Sequence, residues 1–383
     1  MDLLDLCCAP LIAAPRGSPP PPYSAKPPQT YTPLPPPSLK SAAFDAKSTP
    51  TTAAPLNTLL VVGASSGVGM HIVDQALSIP FFTRTSVLSR GENPAEYEES
   101  RARKRAVREG FERRGATCYA FDYIHADFEQ VVEIMKGHKV VVLMTSTATD
   151  DEGWKESTRL IDCAKAARVT RLIPNVFGVD YNLNPEYPWL WPRQLIHEHL
   201  EASGLEWCEF MNGWYGQFFI SSEFCETDFD AWTANLVMPE TTIVILFPIM
   251  IAKCFTYRKD VAKYVLASLQ HRAAETHNRH LRIFANRASP AEMVRRMEAA
   301  LPSRGPVTVT TLRGDKIYDI YTPEAERPVD GVEINPFLRM ASRGTATFSD
   351  KESDNGLFIG LVKPQSVWDA LDEKVRKYLE NNM

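Results

Sequence analysis

The chain has 383 residues, 44% of them hydrophobic and 23% charged, with a formal net charge of −5. That length allows more than one average domain, and the near-neutral balance argues against a nucleic-acid binder and for a soluble globular protein. Seven cysteines without a Cys-x-x-Cys pair argue against a zinc module or a disulfide framework, and for a reducing, cytoplasmic setting.

Many of the 29 prolines fall in residues 1–55, with runs at Pro19–Pro22 and Pro35–Pro37 among Ser, Thr and Ala. Such a segment buries too little apolar surface to offset its ordering entropy, and reads as a disordered Pro-rich tail. Asp2 and Asp5 stand where a secretory leader needs basic residues. The polyproline runs suit docking to a protein partner.

Leu59-Leu60-Val61-Val62 is apolar on both faces, as a central parallel strand must be. Gly63-Ala64-Ser65-Ser66-Gly67-Val68-Gly69 then closes into Met70-His71-Ile72-Val73, predicting a helix over 70–78. This strand, glycine turn and helix form the first unit of a dinucleotide-binding fold. Gly63 permits the sharp turn, and Gly67 and Gly69 let backbone approach a pyrophosphate at the helix N-terminus.

Thr85–Arg90 reads as the second strand, with Arg90 at its carboxyl end, where an arginine accommodates the 2′-phosphate of NADP. Residues Glu96–Arg114 form a charged, locally basic helix with no aromatic interleaving. It reads as a solvated face with a share in phosphate attraction. Strands follow at Thr117–Asp122, Lys139–Met144 and Arg171–Pro174, separated by helices at Phe128–Met135 and Glu156–Arg168. This alternation predicts an α/β, doubly wound, Rossmann-like parallel sheet. Ligands of such sheets sit at the carboxyl ends of the strands. That places Asp122, Thr145, Asn175 and Phe177 beside the cofactor, with Ser65, Ser66 and Val68 in the turn.

From Tyr181 to Phe224 the chain is dense in aromatic residues, which form core or the wall of a pocket for a ring-bearing substrate. Pro192–Ser203 reads as a helix within this stretch. Thr241–Ala252 is too short and too interrupted by Pro248 to span a bilayer, and reads as a buried strand and pocket wall. Helices at Asp260–Leu269 and Gln365–Leu379 and strands at Leu281–Phe284 and Val307–Leu312 complete a smaller C-terminal α/β region. Another helix begins at Ser289-Pro290-Ala291-Glu292, with Ser289 as N-cap. The expected division is a tail over 1–55, a dinucleotide domain over 56–180 and a substrate region over 181–383.

The order and spacing of these features resemble the NmrA-like and isoflavone-reductase-like family of atypical short-chain dehydrogenases, over about residues 57–300. The resemblance rests on the glycine turn, Arg90, Asp122, Arg171–Gly178, Leu200–Leu205 and Phe255–Tyr264. It implies an N-terminal NAD(P) domain and a smaller C-terminal domain shaping a cleft. Many members reduce aromatic or polyketide-like metabolites with NADPH; others bind the dinucleotide as non-catalytic sensors. Three departures stand out. Ser66 replaces the middle glycine of the family's turn, and no tyrosine has a lysine four residues on. Arg193 stands where the family's reductases carry a lysine. An arginine stays charged, so it can hold a developing alkoxide or enolate but is a poor proton donor. His197, one turn further, is the candidate proton source. His197 and Glu201 also have metal-ligand spacing, with too few ligands to make a site. The expected function is therefore an NADPH-dependent reductase of a small aromatic or polyketide-like metabolite in secondary metabolism. The alternatives are an NAD(P)-sensing regulator and a cofactor-assisted isomerase or dehydratase.

Overall fold

A computed structural model describes residues 55–382 apart from 92–95, 146–152, 185–186, 188–189, 219–226, 239–251, 314–315, 320–321, 323, 335–338 and 341–345. The readings of residues 1–54 as a disordered tail and of 241–251 as a buried strand lie outside the described residues.

Seven parallel strands form the main layer: β1 (Thr58–Val62), β2 (Arg84–Ser89), β3 (Thr117–Ala120), β4 (Val140–Leu143), β5 (Arg171–Ile173), β6 (Glu206–Met211) and β11 (Arg279–Arg282). Their spatial order is β11-β6-β5-β4-β1-β2-β3. The order reverses between β1 and β4, and this is where a doubly wound sheet opens its ligand crevice. Leu59 through Val62 and Val140 through Leu143 have no exposed surface, because helices cover both faces of these central strands. On one face lie α1 (Gly67–Ala76) and α6 (Arg258–His271); on the other lie α3 (Phe128–Met135), α4 (Gly153–Ala166) and α5 (Trp191–Ser203). The helix α2 (Glu98–Arg113) follows β2 and packs mainly through Phe111.

The sheet does not stop at residue 180. β6 and β11, from beyond that boundary, complete it, and α6 joins its cover, so the chain from Leu56 onward is one compact unit. A second core gathers around small sheets. One has the order β12-β10-β7, from Asn286–Ala288, Lys253–Thr256 and Trp214–Tyr215. Another pairs β9 (Thr233–Met238) with β8 (Thr227–Asp228) and β13 (Thr308–Arg313). Helix α8 (Pro290–Ala300) is capped as expected: Ser289 Oγ accepts the Glu292 N–H at 3.2 Å.

Two polar anchors sit inside this frame. His138 is 2% exposed; its Nδ1 lies 3.2 Å from the Met135 carbonyl and its Nε2 2.9 Å from the Ser86 hydroxyl. A neutral imidazole satisfies both bonds, with Nδ1–H donating and Nε2 accepting. Burial, aided by the nearby Arg84 charge, pushes its pKa down to about 4. The second anchor is the Asn212-Gly213 corner after β6. Asn212 Oδ1 accepts the Gly178 N–H at 2.9 Å, its carbonyl accepts the Thr256 hydroxyl at 2.9 Å, and Gly213 N donates to Gly178 O at 3.1 Å. Gly213 has φ +66°, and a Cβ there would lie 2.4 Å from the Cys254 carbonyl oxygen.

Candidate active site

The glycine turn has the geometry its sequence requires. Gly63, at φ +88°, donates to the Leu88 carbonyl at 2.8 Å, and a Cβ on it would fall 2.7 Å from the Met144 carbonyl oxygen. The strand end after β4 therefore passes directly against the turn. Gly69 is equally confined, with Gly63 O and Met144 Cγ each 2.9 Å from a Cβ position. Helix α1 begins at Gly67, three residues before the expected start, and its first turn holds no acidic residue. Its N-terminal N–H groups carry a positive dipole end next to Ser65 and Ser66.

That cavity, of about 260 Å³, opens over the β1–β4 switch point. Gly63, Ala64, Ser65, Ser66, Arg90, Met144 and Thr145 form its inner wall, and Arg101, Lys104, Arg105 and Arg108 of α2 line its outer wall. The helix read as a solvated face with a share in phosphate attraction turns these four basic side chains into the cavity. They are partly compensated: Lys104 Nζ lies 2.5 Å from Glu96 Oε2, and Arg101 Nε lies 3.0 Å from Glu98. The hydrogen bond from Lys104 holds the Glu96 carboxyl below its usual range.

The other residues singled out in the sequence divide by position. Arg90 lines the cavity and pairs with Glu156 at 3.5 Å, so its charge is already shared. Thr145 lines it too, with its hydroxyl 3.1 Å from Ser157 Oγ and its carbonyl accepting from Asn175 Nδ2. Asp122 does not line the cavity. Its exposed carboxylate closes a turn, accepting Ile124 N at 3.2 Å and pairing with His125 Nδ1 at 2.7 Å; Tyr123 takes the wall position instead. Phe177 is also displaced from its expected place. Its ring is 4% exposed and stacks on Phe210 at 6.2 Å, inside the main core.

Arg193 and His197 share α5 but serve different surroundings. The Arg193 guanidinium is half-buried beside Gly178, with Nη1 3.5 Å from the Val179 carbonyl and the hydroxyls of Tyr181 and Tyr215 in its field. Burial lowers its pKa, yet an arginine remains charged across the physiological range. Among the described residues it has no carboxylate partner. His197 turns to Glu209, with Nδ1 3.2 Å from Oε1, and packs against the rings of Trp207 and His280. Burial opposes its charged form, but the hydrogen bond and charge of Glu209 outweigh that and raise its pKa. Glu209 itself is fully buried. Burial alone would raise it, but the two imidazoles beside it hold its pKa at about 2, well below a free carboxyl. Tyr181 donates to Glu209 Oε2 at 2.7 Å. The sequence suggested neither Glu209 nor His280, since 71 residues separate them and only the β6–β11 register makes them neighbours.

The model of the NmrA-like family matches residues 55–317. The chain belongs to the NmrA-like family. Solved structures similar to this NmrA-like chain include AtPrR2 with NADP+ and (+)pinoresinol, at 18% identity and TM-score 0.63, covering 83% of this chain and 99% of that one. An isoflavone reductase matches at 16% identity and TM-score 0.63, over 84% and 99%. The leucoanthocyanidin reductase–NADPH complex from Vitis vinifera matches at 16% and 0.59, over 83% and 99%. At these identities the likeness establishes the shared fold. No curated protein matches the sequence. No helix among the described residues is long and apolar enough to cross a membrane.

Among the described aromatic residues from Tyr181 to Phe218, most belong to the cores. Tyr181, Tyr187 and Trp214 are buried in the second core, and Phe210 in the first. Tyr215 and Phe218 are partly exposed, each ring 5.3 Å from the Arg258 guanidinium. Trp189, Phe219 and Phe224 lie outside the described residues.

Proposed function

We propose that this NmrA-like chain binds NADPH and reduces a small aromatic or polyketide-like metabolite in secondary metabolism. The observation that carries the reading is the cavity at the sheet's switch point, with a helix N-terminus and glycine turn on one wall and four basic side chains on the other. The inner wall suits a pyrophosphate, and the outer wall suits an additional phosphate that NAD lacks. The structures of relatives solved with NADP+ or NADPH support this assignment.

When bound, the nicotinamide supplies a hydride to a carbonyl or conjugated double bond. The chain's own residues do the rest. Gly63 and Gly69 keep the backbone close enough for the turn to meet the diphosphate, and Thr145 and Asn175 hold the β4 and β5 ends together. Arg193, half-buried and charged, holds the negative charge that develops on the substrate oxygen. Tyr215 and Phe218 offer ring faces to the substrate. His197 is held by Glu209, and the proton comes from solvent.

Fluorescence titration tests the binding step. NADPH should bind at least tenfold more tightly than NADH, and Lys104→Ala with Arg105→Ala should erase the preference while leaving NADH unchanged. Equal affinities in the native chain would remove the assignment. A second reading, an NAD(P) sensor, is favoured by the replacement of the family lysine by Arg193. It expects binding without turnover, and a protein partner captured through residues 1–55.

A further inference from the structure

We propose that His197, Glu209 and His280 form a binding site for one divalent transition metal ion of the zinc class, independent of the dinucleotide cavity. The argument begins with the sheet. Glu209 on β6 and His280 on β11 are paired across parallel strands, so their side chains leave the same face at neighbouring positions. Helix α5 crosses that face and sets His197 against both. The result brings three potential ligand atoms within 4.8 Å of one another.

Two of the spacings, one to each oxygen of the Glu209 carboxylate, are close to those around a small ion. A tetrahedral centre with bonds of 2.0–2.2 Å spaces its ligand atoms about 3.3 Å apart. His197 Nδ1 lies 3.2 Å from Glu209 Oε1, and His280 Nδ1 lies 2.8 Å from Glu209 Oε2. The second contact lacks hydrogen-bond geometry, which leaves a buried imidazole nitrogen aimed at the cluster without a hydrogen bond of its own. Two nitrogens and one carboxylate oxygen are a donor set for zinc or its neighbours, and a poor one for magnesium or calcium, which prefer oxygen.

The surroundings supply what a metal site needs beyond its ligands. Histidine ligands usually present their second nitrogen to a carboxylate, which fixes the tautomer. His197 has a carboxylate in place for this: with Nδ1 toward the cluster, its Nε2 approaches Glu201 Oε2 at 3.7 Å, a gap that a small side-chain shift closes. The Trp207 ring packs edge-on against it at 4.8 Å and an interplanar angle of 84°, which fixes its orientation. Tyr181 donates to Glu209 Oε2 and orients the carboxylate. Glu209 and Glu201 carry the two negative charges that balance a divalent ion held by neutral imidazoles. The His280 side chain is 29% exposed, which gives a path for entry and room for water as a fourth ligand.

The experiment uses the full chain, stripped with chelator and dialysed. Calorimetric titration with zinc chloride should show one tight site per chain and a rise in melting temperature, with no response to magnesium chloride. His280→Ala should weaken zinc by more than 100-fold. Glu201→Gln changes an exposed side chain outside the core, and should weaken it by about 10–100-fold through loss of the orienting carboxylate. If His280→Ala does not fold, as judged by circular dichroism, Glu201→Gln decides alone. No zinc binding by the native chain overturns the proposal. So does unchanged zinc binding in both variants, which would trace the metal to the cysteines or to surface histidines. In either case the cluster is an ion-paired network only.

Discussion

Acid should destabilise this fold through His138. The imidazole is neutral in the folded chain, with both nitrogens engaged and almost no exposed surface. Above pH 6.5 it is neutral folded or unfolded, and contributes nothing to the pH dependence. As pH falls below 6.5 the unfolded chain takes up a proton that the folded chain refuses until about pH 4. Stability is therefore lost across that window and levels off beneath it. A pKa brought from 6.5 to about 4 corresponds to about 3 kcal/mol. The perturbation is His138→Gln, which can still bond Ser86 but cannot titrate. Urea unfolding of both proteins at pH 7, 6, 5 and 4 isolates the effect, because the other titrating groups cancel in the difference. The difference should shift by about 3 kcal/mol in favour of the variant between pH 7 and pH 4. A difference that stays constant over this range would refute the reasoning, and would mean that the pocket admits water or a proton without cost.

Gly63→Ala should abolish dinucleotide binding, because its Cβ meets the Met144 carbonyl and its φ is positive; intrinsic fluorescence with added NADPH reads this directly. Arg193→Met should lower turnover by at least 100-fold with little change in NADPH affinity, and Arg193→Lys should recover part of it. Steady-state kinetics on aromatic ketones or enones, beside a nucleotide titration, separates the two terms. Arg171 is buried, with Glu206 at 2.9 Å and the Ala273 carbonyl at 2.7 Å. Arg171→Met should cost about 3 kcal/mol by leaving those acceptors without their donor, measured as a shift in the urea midpoint.

The first half of the fold was legible because its signals are local. Leu59–Val62 and Lys139–Met144 are apolar runs too short for helices, and the glycines after Val62 mark a turn that few other residues allow. Ser289 and Pro290 announced a helix in the same way. What sequence could not supply was pairing over long separations. Nothing near Glu206–Met211 or Arg279–Arg282 says that they lie side by side in the main sheet, and that pairing makes neighbours of Glu209 and His280. The strand Thr233–Met238 was missed, since its partner Thr308–Arg313 lies 75 residues on and its own residues lack clear alternation. In the site, Asp122 and Phe177 lie away from the cavity lining for one reason. A residue at the carboxyl end of a strand faces the crevice or the core according to a turn of a residue or two. Here Tyr123 faces the crevice, Asp122 solvent and Phe177 the core. The basic helix showed the reverse: its composition was plain, but only the fold reveals that its charges converge on a cavity.

The corner at Asn212-Gly213 joins the large sheet to the small one that carries Tyr215. There the Cys254 carbonyl stands where a methyl group at Gly213 would have to go, so backbone meets backbone. Contacts between side chains can be tuned, because a longer or shorter residue shifts the angle between two layers by degrees. A contact between main chains offers no such adjustment. The junction between the two sheets is thus set by main chain at this corner, and variation around it falls to the side chains on either side.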